Sequence, residues 1–357
     1  MKKKSLSAKK ITPRSLNFKK ILKDKKILEI YKNFEKNFKN FNYTNKFATA
    51  VSGGPDSLAL CFLLSCYKFK NNPKIQYSFY LVDHGLRENS HKEGIFVKNL
   101  LKSKKIDLKI LRWKGVKPTS NIQSLARKKR YELIFKECAK LNIGIVLTGH
   151  HQDDMYETFF IRLLRGSGTE GLSSFANIEN YFNFKSKKIK LVRPLLNITK
   201  QDLIYVSKKV FKCFVNDPSN EVAIFQRVRL RNLISNLIKE GLDFNKLSLT
   251  INNLSSTNKA INEMVNYNII QNVTFTFNKK YLIKNEFFLM PEEVIFRSLS
   301  VLFKNISQKQ YAPRGKKMIN LIKDLKNKKF VKATLGGTII EKIHKTVIVS
   351  EEKTKKH

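Results

Sequence analysis

The sequence predicts an α/β protein, a doubly wound parallel sheet, followed by a second, smaller and mainly helical C-terminal domain. Two observations carry that expectation. Between residue 47 and about residue 215, short apolar stretches bounded by turn residues alternate with longer stretches of helical period, the pattern of a parallel sheet covered on both faces. Beyond Arg231 the texture changes to long helical runs that end near a Gly336-Gly337 turn. Sheets of the first kind bind ligands outside the carboxyl ends of their strands, so chemistry is expected just after each strand.

The elements follow in order. Residues 1–17, MKKKSLSAKKITPRSLN, lack an apolar run and read as a disordered basic arm rather than a secretory signal. From Phe18 to Phe41 the apolar positions Phe18, Ile21, Leu22, Leu28, Tyr31, Phe34, Phe38 and Phe41 recur every three or four residues. That predicts one amphipathic helix or two short ones, docked on a neighbour with a solvated lysine face. Phe47–Val51, Tyr77–Val82, Leu108–Leu111 and Ile143–Leu147 are the expected strands, with helices at 57–67, 90–102, 122–141 and 153–164. The first domain is thus assigned to 18–228 and the second to 229–350. Within the latter, 229–270 reads as helix, VTFTFNKKYLIKNEFFLM as two strands, 292–303 and 316–326 as helices, and 330–349 as a β-hairpin.

Charge narrows the partners. Lys and Arg number 70 against 28 Asp and Glu, a net of +42. Only 13 of the 70 are Arg, and Lys, Asn, Ile and Phe are all abundant, as biased codon usage would produce. The acids have not risen to match, so the field is strongly positive, and polyphosphate chains are its usual partners. On charge alone nucleic acid is favoured over anionic lipid, and separately no apolar run is long enough to cross a bilayer. The four cysteines, Cys61, Cys66, Cys138 and Cys213, form no C-x-x-C pair and no zinc spacing. They read as reduced thiols of a cytoplasmic protein, with a homodimer left open.

Three segments carry chemistry. Ser52-Gly53-Gly54-Pro55-Asp56-Ser57 lies between a strand and a helix. Small residues there let the backbone approach a phosphate, and the helix that follows aims free N–H groups at it. The serine hydroxyls can donate to phosphate oxygens and Asp56 can hold magnesium, although the segment is not a Walker P-loop. Leu81-Val82-Asp83-His84-Gly85 ends the second strand, where Asp83 could support a metal or a sugar hydroxyl, or simply terminate the strand. Gly149-His150-His151-Gln152-Asp153-Asp154-Met155-Tyr156-Glu157 opens a helix after the fourth strand. Asp154 and Glu157 share a helix face near its N-terminus. One such acid is an ordinary cap, but two histidines and three acids in eight residues are more than capping requires. A zinc site would lack H-E-x-x-H spacing. The preferred reading has carboxylates holding magnesium and receiving the ammonium of an incoming amine, with either Asp153 or Asp154 taking its proton.

With these residues in hand, S-G-G-x-D-S resembles the pyrophosphate loop of the ATP pyrophosphatase, or PP-loop, superfamily, whose adenine-nucleotide α-hydrolase-like fold the resemblance implies. SGGPDS, LVDHGLR, GHHQDDMYET, RLLRGSGTEGL (162–172), RPLL (193–196) and NDPSN (216–220) with RVRLRN (227–232) are similar in order and spacing to the tRNA(Ile)-lysidine synthase family. The helix N-x-x-x-x-A-R-x-x-R-Y, carried by Asn121, Ala126, Arg127, Arg130 and Tyr131, fits as well. The resemblance is strong over about 46–235 and continues weakly through Tyr311-Ala312-Pro313-Arg314 and Thr334-Leu335-Gly336-Gly337.

That resemblance implies ATP and Mg2+ as cofactors and an isoleucine tRNA and free L-lysine as partners. The wobble cytidine would be adenylated at C2, and lysine would then displace AMP. By position, Ser52, Gly53, Gly54, Pro55, Asp56 and Ser57 would bind ATP, with Asp83 and His84 beside them and Asp56 and Asp153 near magnesium. Asp56, His150, Asp154 and Arg130 would be catalytic, and Asp154 and Glu157 would hold lysine. Arg127, Arg227, Arg229, Arg231 and Arg314 would steady phosphate or tRNA. The chain stops soon after the glycine hairpin, short of the further C-terminal domain of longer members. A tRNA thiolase of the same superfamily and a non-catalytic RNA-binding protein are the alternatives.

Overall fold

The four apolar segments become parallel strands because their neighbours are buried on both faces. The computed structural model describes residues 18–39, 44–115, 118, 120–175, 179–184, 187–216, 226–276, 280–308, 312–313, 315–327 and 329–352. Side chains of 179–181 and 226–228 are outside that description, as is the basic arm 1–17. The chain divides into two compact units, residues 1–251 and 252–357.

In the first unit, β1 (Lys46–Val51), β2 (Gln76–Asp83), β3 (Leu108–Arg112) and β4 (Ile145–Leu147) match the expected strands within two residues at each end. A hairpin that the sequence reading did not single out, β5 (Glu179–Phe184) and β6 (Lys187–Val192), extends the sheet. The order is β3-β2-β1-β4-β6-β5, parallel throughout except for the β5–β6 pair. The chain thus builds outward from β1 through β2 to β3, then returns to β1's other side with β4. The crevice above the β1 and β4 ends is the topological switch point, where ligands of open α/β sheets bind.

Helices cover both faces. The leading segment divides into α1 (Phe18–Ile21) and α2 (Lys25–Phe38) because Asp24 breaks in as N-cap, accepting from the amides of Lys26 and Ile27 at 3.1 and 3.2 Å. Helices α3 (Pro55–Lys70), α4 (Ser90–Lys102) and α8 (Lys200–Phe211) share one apolar core with α2. Here α2 presents Phe34 and Phe38, stacked at 5.2 Å, with Phe38 edge-on to Tyr67 of α3 at 4.9 Å. The opposite face is closed by α5 (Ile122–Lys140), whose Ile134, Phe135 and Cys138 meet Ala48, Tyr80 and Val146. Helix α6 (Gln152–Leu163) and the short α7 (Thr169–Ser173) follow β4.

The first unit continues through α9 (Gln226–Lys239) and into the start of α10 (Phe244–Asn272), later than the change of texture in the sequence. Side-chain bonds explain the extension: Tyr156 of α6 donates to Phe244 O at 3.2 Å and is bonded to Ser248 Oγ at 2.7 Å. In the second unit, α11 (Glu292–Ser307) and α12 (Gly315–Lys326) lie on an antiparallel sheet. Its strands are β7 (Val273–Phe275), β8 (Tyr281–Ile283), β9 (Lys332–Leu335), β10 (Thr338–Ile343) and β11 (Thr346–Glu351), in the order β7-β8-β11-β10-β9. The expected hairpin is β9–β10 at one edge of the sheet, and β11, the central strand, joins it to β8. At its turn Gly336 has φ +68°, and an added Cβ would meet Pro313 at 2.5 Å, which brings two of the weaker family segments together.

Since Phe38 is wholly buried between α3 and β1, Phe38→Ala is expected to destabilise the first unit by about 3–5 kcal/mol. Urea unfolding read by far-UV circular dichroism checks this. A cost under about 1 kcal/mol would mean that α2 is an appendage rather than part of the core.

Candidate active site

Strand β1 ends at Val51, and the backbone must then turn into α3 within a few residues. Gly53 makes the turn at φ +86°, where a Cβ would also meet Val97 at 2.5 Å. Gly54 is the N-cap of α3 and Pro55 its first residue, leaving the helix amides open at the crevice. Ser57 closes the loop from within. Its Oγ accepts from the amides of Ser52 and Gly53, both at 3.2 Å, and donates to Gly54 O at 3.0 Å. Ser57 is therefore buried and holds the cradle's shape, whereas Ser52 is exposed at its rim.

The loop after β4 meets this cradle directly. A Cβ on Gly149 would stand 3.1 Å from both Asp56 C and Ser57 N, so any larger residue would require the Asp56–Ser57 backbone to give way. Two residues on, His151 caps α6: its amide donates to Asp154 Oδ2 at 3.1 Å, one half of a capping box. The segment 195–200 runs alongside, with Gln152 N donating to Ile198 O at 3.1 Å and Lys200 N to Asp153 Oδ2 at 2.8 Å.

Three carboxylates now surround one imidazole. His151 Nδ1 lies 3.4 Å from Asp153 Oδ2, and its Nε2 lies 3.5 Å from Asp154 Oδ2 and 3.8 Å from Asp56 Oδ2. Burial alone would pull this histidine down, but Asp153, Asp154 and Asp56 outweigh it and raise it above its ordinary value. Burial would raise Asp153, yet the contact with His151 and the Lys200 amide hold it below the usual carboxylate range. The ammonium of Lys200 sits 2.7 and 2.6 Å from the two oxygens of Asp56.

One turn along α6, Glu157 is 3% exposed. Its Oε1 accepts from Arg231 Nε at 2.5 Å, and its Oε2 has no hydrogen-bond partner among the described residues. A buried carboxylate oxygen without a donor is costly, and its natural complement is a cation that arrives with the substrate. Nearby, His150 is bonded through Nδ1 to Thr148 Oγ1 at 2.8 Å, with Arg127 at 3.5 Å from its Nε2. Phe175 lies edge-on to His150 at 5.5 Å and beneath the guanidinium of Arg193 at 4.4 Å. Burial lowers that guanidinium to about 10.

Residues 24–238 match the family model described as a PP-loop domain. Over 325 residues the chain is 31% identical to a tRNA(Ile)-lysidine synthase of Wolbachia pipientis wMel, covering 88% of this chain and 72% of the relative. The chain belongs to the tRNA(Ile)-lysidine synthase family. A member of that family from Orientia tsutsugamushi strain Boryong is 41% identical over 204 residues, 56% of this chain and 44% of its own. Among solved structures, a U34-tRNA thiolase from Methanococcus maripaludis, solved with its 4Fe-4S cluster, superposes with a TM-score of 0.55. At 20% identity, over 66% of this chain and 81% of that one, it shows a shared fold.

Placed on the lysidine synthase motifs, Ser52 to Ser57, Asp153, Asp154 and Glu157 come together, with Arg231 added from α9. Arg127 lies on the exposed side of α5 over the Tyr131 ring at 5.2 Å, Arg130 is half-buried a turn later, and Arg229 is exposed on α9. The Arg227 side chain and Arg314 lie outside the described residues, as do 217–220 of NDPSN. Asp83 serves its own loop, accepting from Gly85 N at 3.0 Å and Ser90 Oγ at 2.8 Å, while His84 meets Trp113 edge-on at 6.0 Å. Of the adjacent histidines, the sequence favoured His150, yet His151 stands at the centre of the carboxylates. Lys200 and Arg193 were not singled out as site residues: Arg193 opens the RPLL motif and Lys200 follows it by four residues, and only a knowledge that this segment runs along residues 148–152 could have flagged them.

Ser57→Ala deletes the atom on which three loop bonds converge. It is expected to cost about 1–3 kcal/mol of stability and to weaken ATP binding by more than the loss of one exposed contact, as with Ser52→Ala. Calorimetric titration of both variants with an ATP analogue checks this, and equal effects would contradict the internal role of Ser57.

Proposed function

We propose that the chain adenylates C2 of the wobble cytidine of an isoleucine tRNA with ATP, then joins free L-lysine to it, releasing pyrophosphate and AMP. C2 of cytosine is a poor electrophile because its oxygen leaves badly, and esterifying that oxygen with AMP makes it a leaving group. The observation that carries this reading is the abutment of a glycine-serine cradle on an acidic helix start, where a Cβ added to Gly149 would stand 3.1 Å from the backbone of Asp56 and Ser57 and His151 lies between Asp56, Asp153 and Asp154. A nucleotide's phosphates and an attacking amine need those two surfaces within one reaction distance.

In this reading the 52–57 amides and the α3 N-terminus hold the phosphates. Asp83 and His84, at the neighbouring strand end, border the nucleoside side. Asp56 and Asp153 are the oxygens for magnesium, an ion that takes one or two carboxylates and completes its shell with phosphate and water. What supports it is that Asp56 already binds a cation, the Lys200 ammonium, through both oxygens. Magnesium would neutralise charge developing on the phosphates. His150, with Arg127 3.5 Å from its Nε2, serves the adenylation step together with Arg130, which lies on the same helix as Arg127. Asp154 takes a proton from the lysine amine, and Glu157 Oε2 receives a lysine ammonium. Arg229 and Arg231 on α9, with Arg227 and Arg314, hold tRNA phosphate, and the second unit supplies further grip on the RNA. Contacts of that kind fall steeply with salt.

The thiolase alternative needs reactive cysteines. Cys61, Cys66 and Cys138 are buried in helices, where burial pushes the first two thiols far up and the third to about 12. An RNA-binding protein without catalysis has no use for a buried, half-paired Glu157. No described helix is long and apolar enough to cross a membrane.

Incubation with ATP, labelled lysine and unmodified isoleucine tRNA is expected to place label in the RNA, with one pyrophosphate per lysine; absence of label with a folded protein contradicts the reading. Glu157→Gln is expected to raise the KM for lysine by about 10- to 100-fold and to leave single-turnover pyrophosphate release without lysine near the wild-type rate. Equal loss in both would place Glu157 in adenylation instead.

A further inference from the structure

Lys200 lies outside the motifs that carry the resemblance, yet it joins two of the acidic elements. It is the first residue of α8, after the N-cap Thr199, and its backbone amide holds Asp153 at 2.8 Å while its ammonium closes both oxygens of Asp56. Its side chain is 37% exposed, so the ammonium stands in the crevice rather than beneath it. The helix behind it is fixed, because Ser207 Oγ donates to Pro55 O at 2.6 Å and ties α8 to the start of α3.

The cradle itself has a gap that this lysine can fill. Residues 52–57 contain no basic side chain, whereas a Walker loop carries its own lysine to the outer phosphates. Here Asp56, Asp153 and Asp154 crowd the place where a polyphosphate must come, and like charges a few Å apart cost several kcal/mol unless cations intervene. An ammonium on a four-carbon stem can move by several Å through rotamer changes alone while its backbone stays in place.

We propose that Lys200 is the phosphate-binding lysine of this site and works in two positions. Without nucleotide it neutralises Asp56. When ATP binds, the Lys200 ammonium leaves Asp56 for the β- and γ-phosphate oxygens, and the freed Asp56 would be available to hold a metal ion that accompanies the nucleotide. The amide bond to Asp153 persists in both states and keeps α8 in register with α6. This inference rests on the ATP reading given above and adds to it a residue and a sequence of contacts.

Calorimetric titration of the full chain with a non-hydrolysable ATP analogue, pyrophosphate and AMP, at constant magnesium and without tRNA or lysine, tests it. Lys200→Met is expected to weaken the ATP analogue and pyrophosphate by about 10- to 100-fold while AMP binds as to wild type. Lys200→Arg is expected to restore most of the loss. Lys200→Gln keeps a donor for Asp56, and so guards against a folding defect, and is expected to behave like Lys200→Met. Wild-type pyrophosphate affinity in Lys200→Gln would overturn the proposal and reduce Lys200 to a clip on Asp56. Equal weakening of AMP and pyrophosphate would overturn it too, as a general distortion of the cleft. A wild-type chain that binds none of the three ligands would instead sink the ATP reading itself, and this inference with it.

Discussion

Negative charge concentrated at one crossing of helices is the constraint on which the rest depends. Asp56 opens α3, Asp153 and Asp154 open α6, and all three reach the ring of a single buried histidine. At an effective dielectric constant of about 20, each like-charged pair 4 Å apart costs about 4 kcal/mol. Helix N-termini offset part of that, and His151 and Lys200 offset more. The two offsets differ in kind: His151 is buried among the carboxylates, whereas the Lys200 side chain is 37% exposed and free to move. A site built this way is stable enough to fold, and it favours whatever further cation a substrate brings.

The position of that crossing follows from topology. Because the chain leaves β1 to one side and returns to the other, the loops after β1 and β4 are the pair left facing each other across open space. Gly53 and Gly149 make the approach close: one accepts a left-handed turn against Val97, and the other lets backbone touch backbone. Beyond them, β6 and the segment leading into α8 lie beside β4, which is how a lysine 144 residues from Asp56 in sequence becomes its partner. On the far side, α9 delivers Arg231 to Glu157, and Tyr156 anchors the start of α10. The helix that carries the acids is thus held from both flanks.

How much of this was legible depended on whether the signal was local. The strands and helices of the parallel sheet were visible because apolar period and turn residues are local properties, and the acidic cluster because its members are neighbours in sequence. The break at Asp24 was half-legible, since the spacing allowed one helix or two. The β5–β6 hairpin escaped because its strands, ENYFNF and KKIKLV, are polar or lysine-rich for much of their length. His151 enters the cluster as the N-cap of α6 while His150 turns to Thr148, and no pattern in GHHQDD encodes that choice. Ser57 looked like a phosphate donor because a hydroxyl in a glycine loop can face either way; burial turned it inward. Lys200 belongs to a third kind, in which both partners are ordinary until the fold brings them together.

Nucleotide and amine must share one crevice for lysine to displace AMP, and a crystal structure of the chain with a non-hydrolysable ATP analogue, magnesium and L-lysine measures that directly. Pyrophosphate oxygens are expected on the amides of residues 52–57 and a lysine ammonium within hydrogen-bond distance of Glu157 Oε2. Density for the nucleotide away from that loop, or for lysine on a surface that does not include α6, would contradict it.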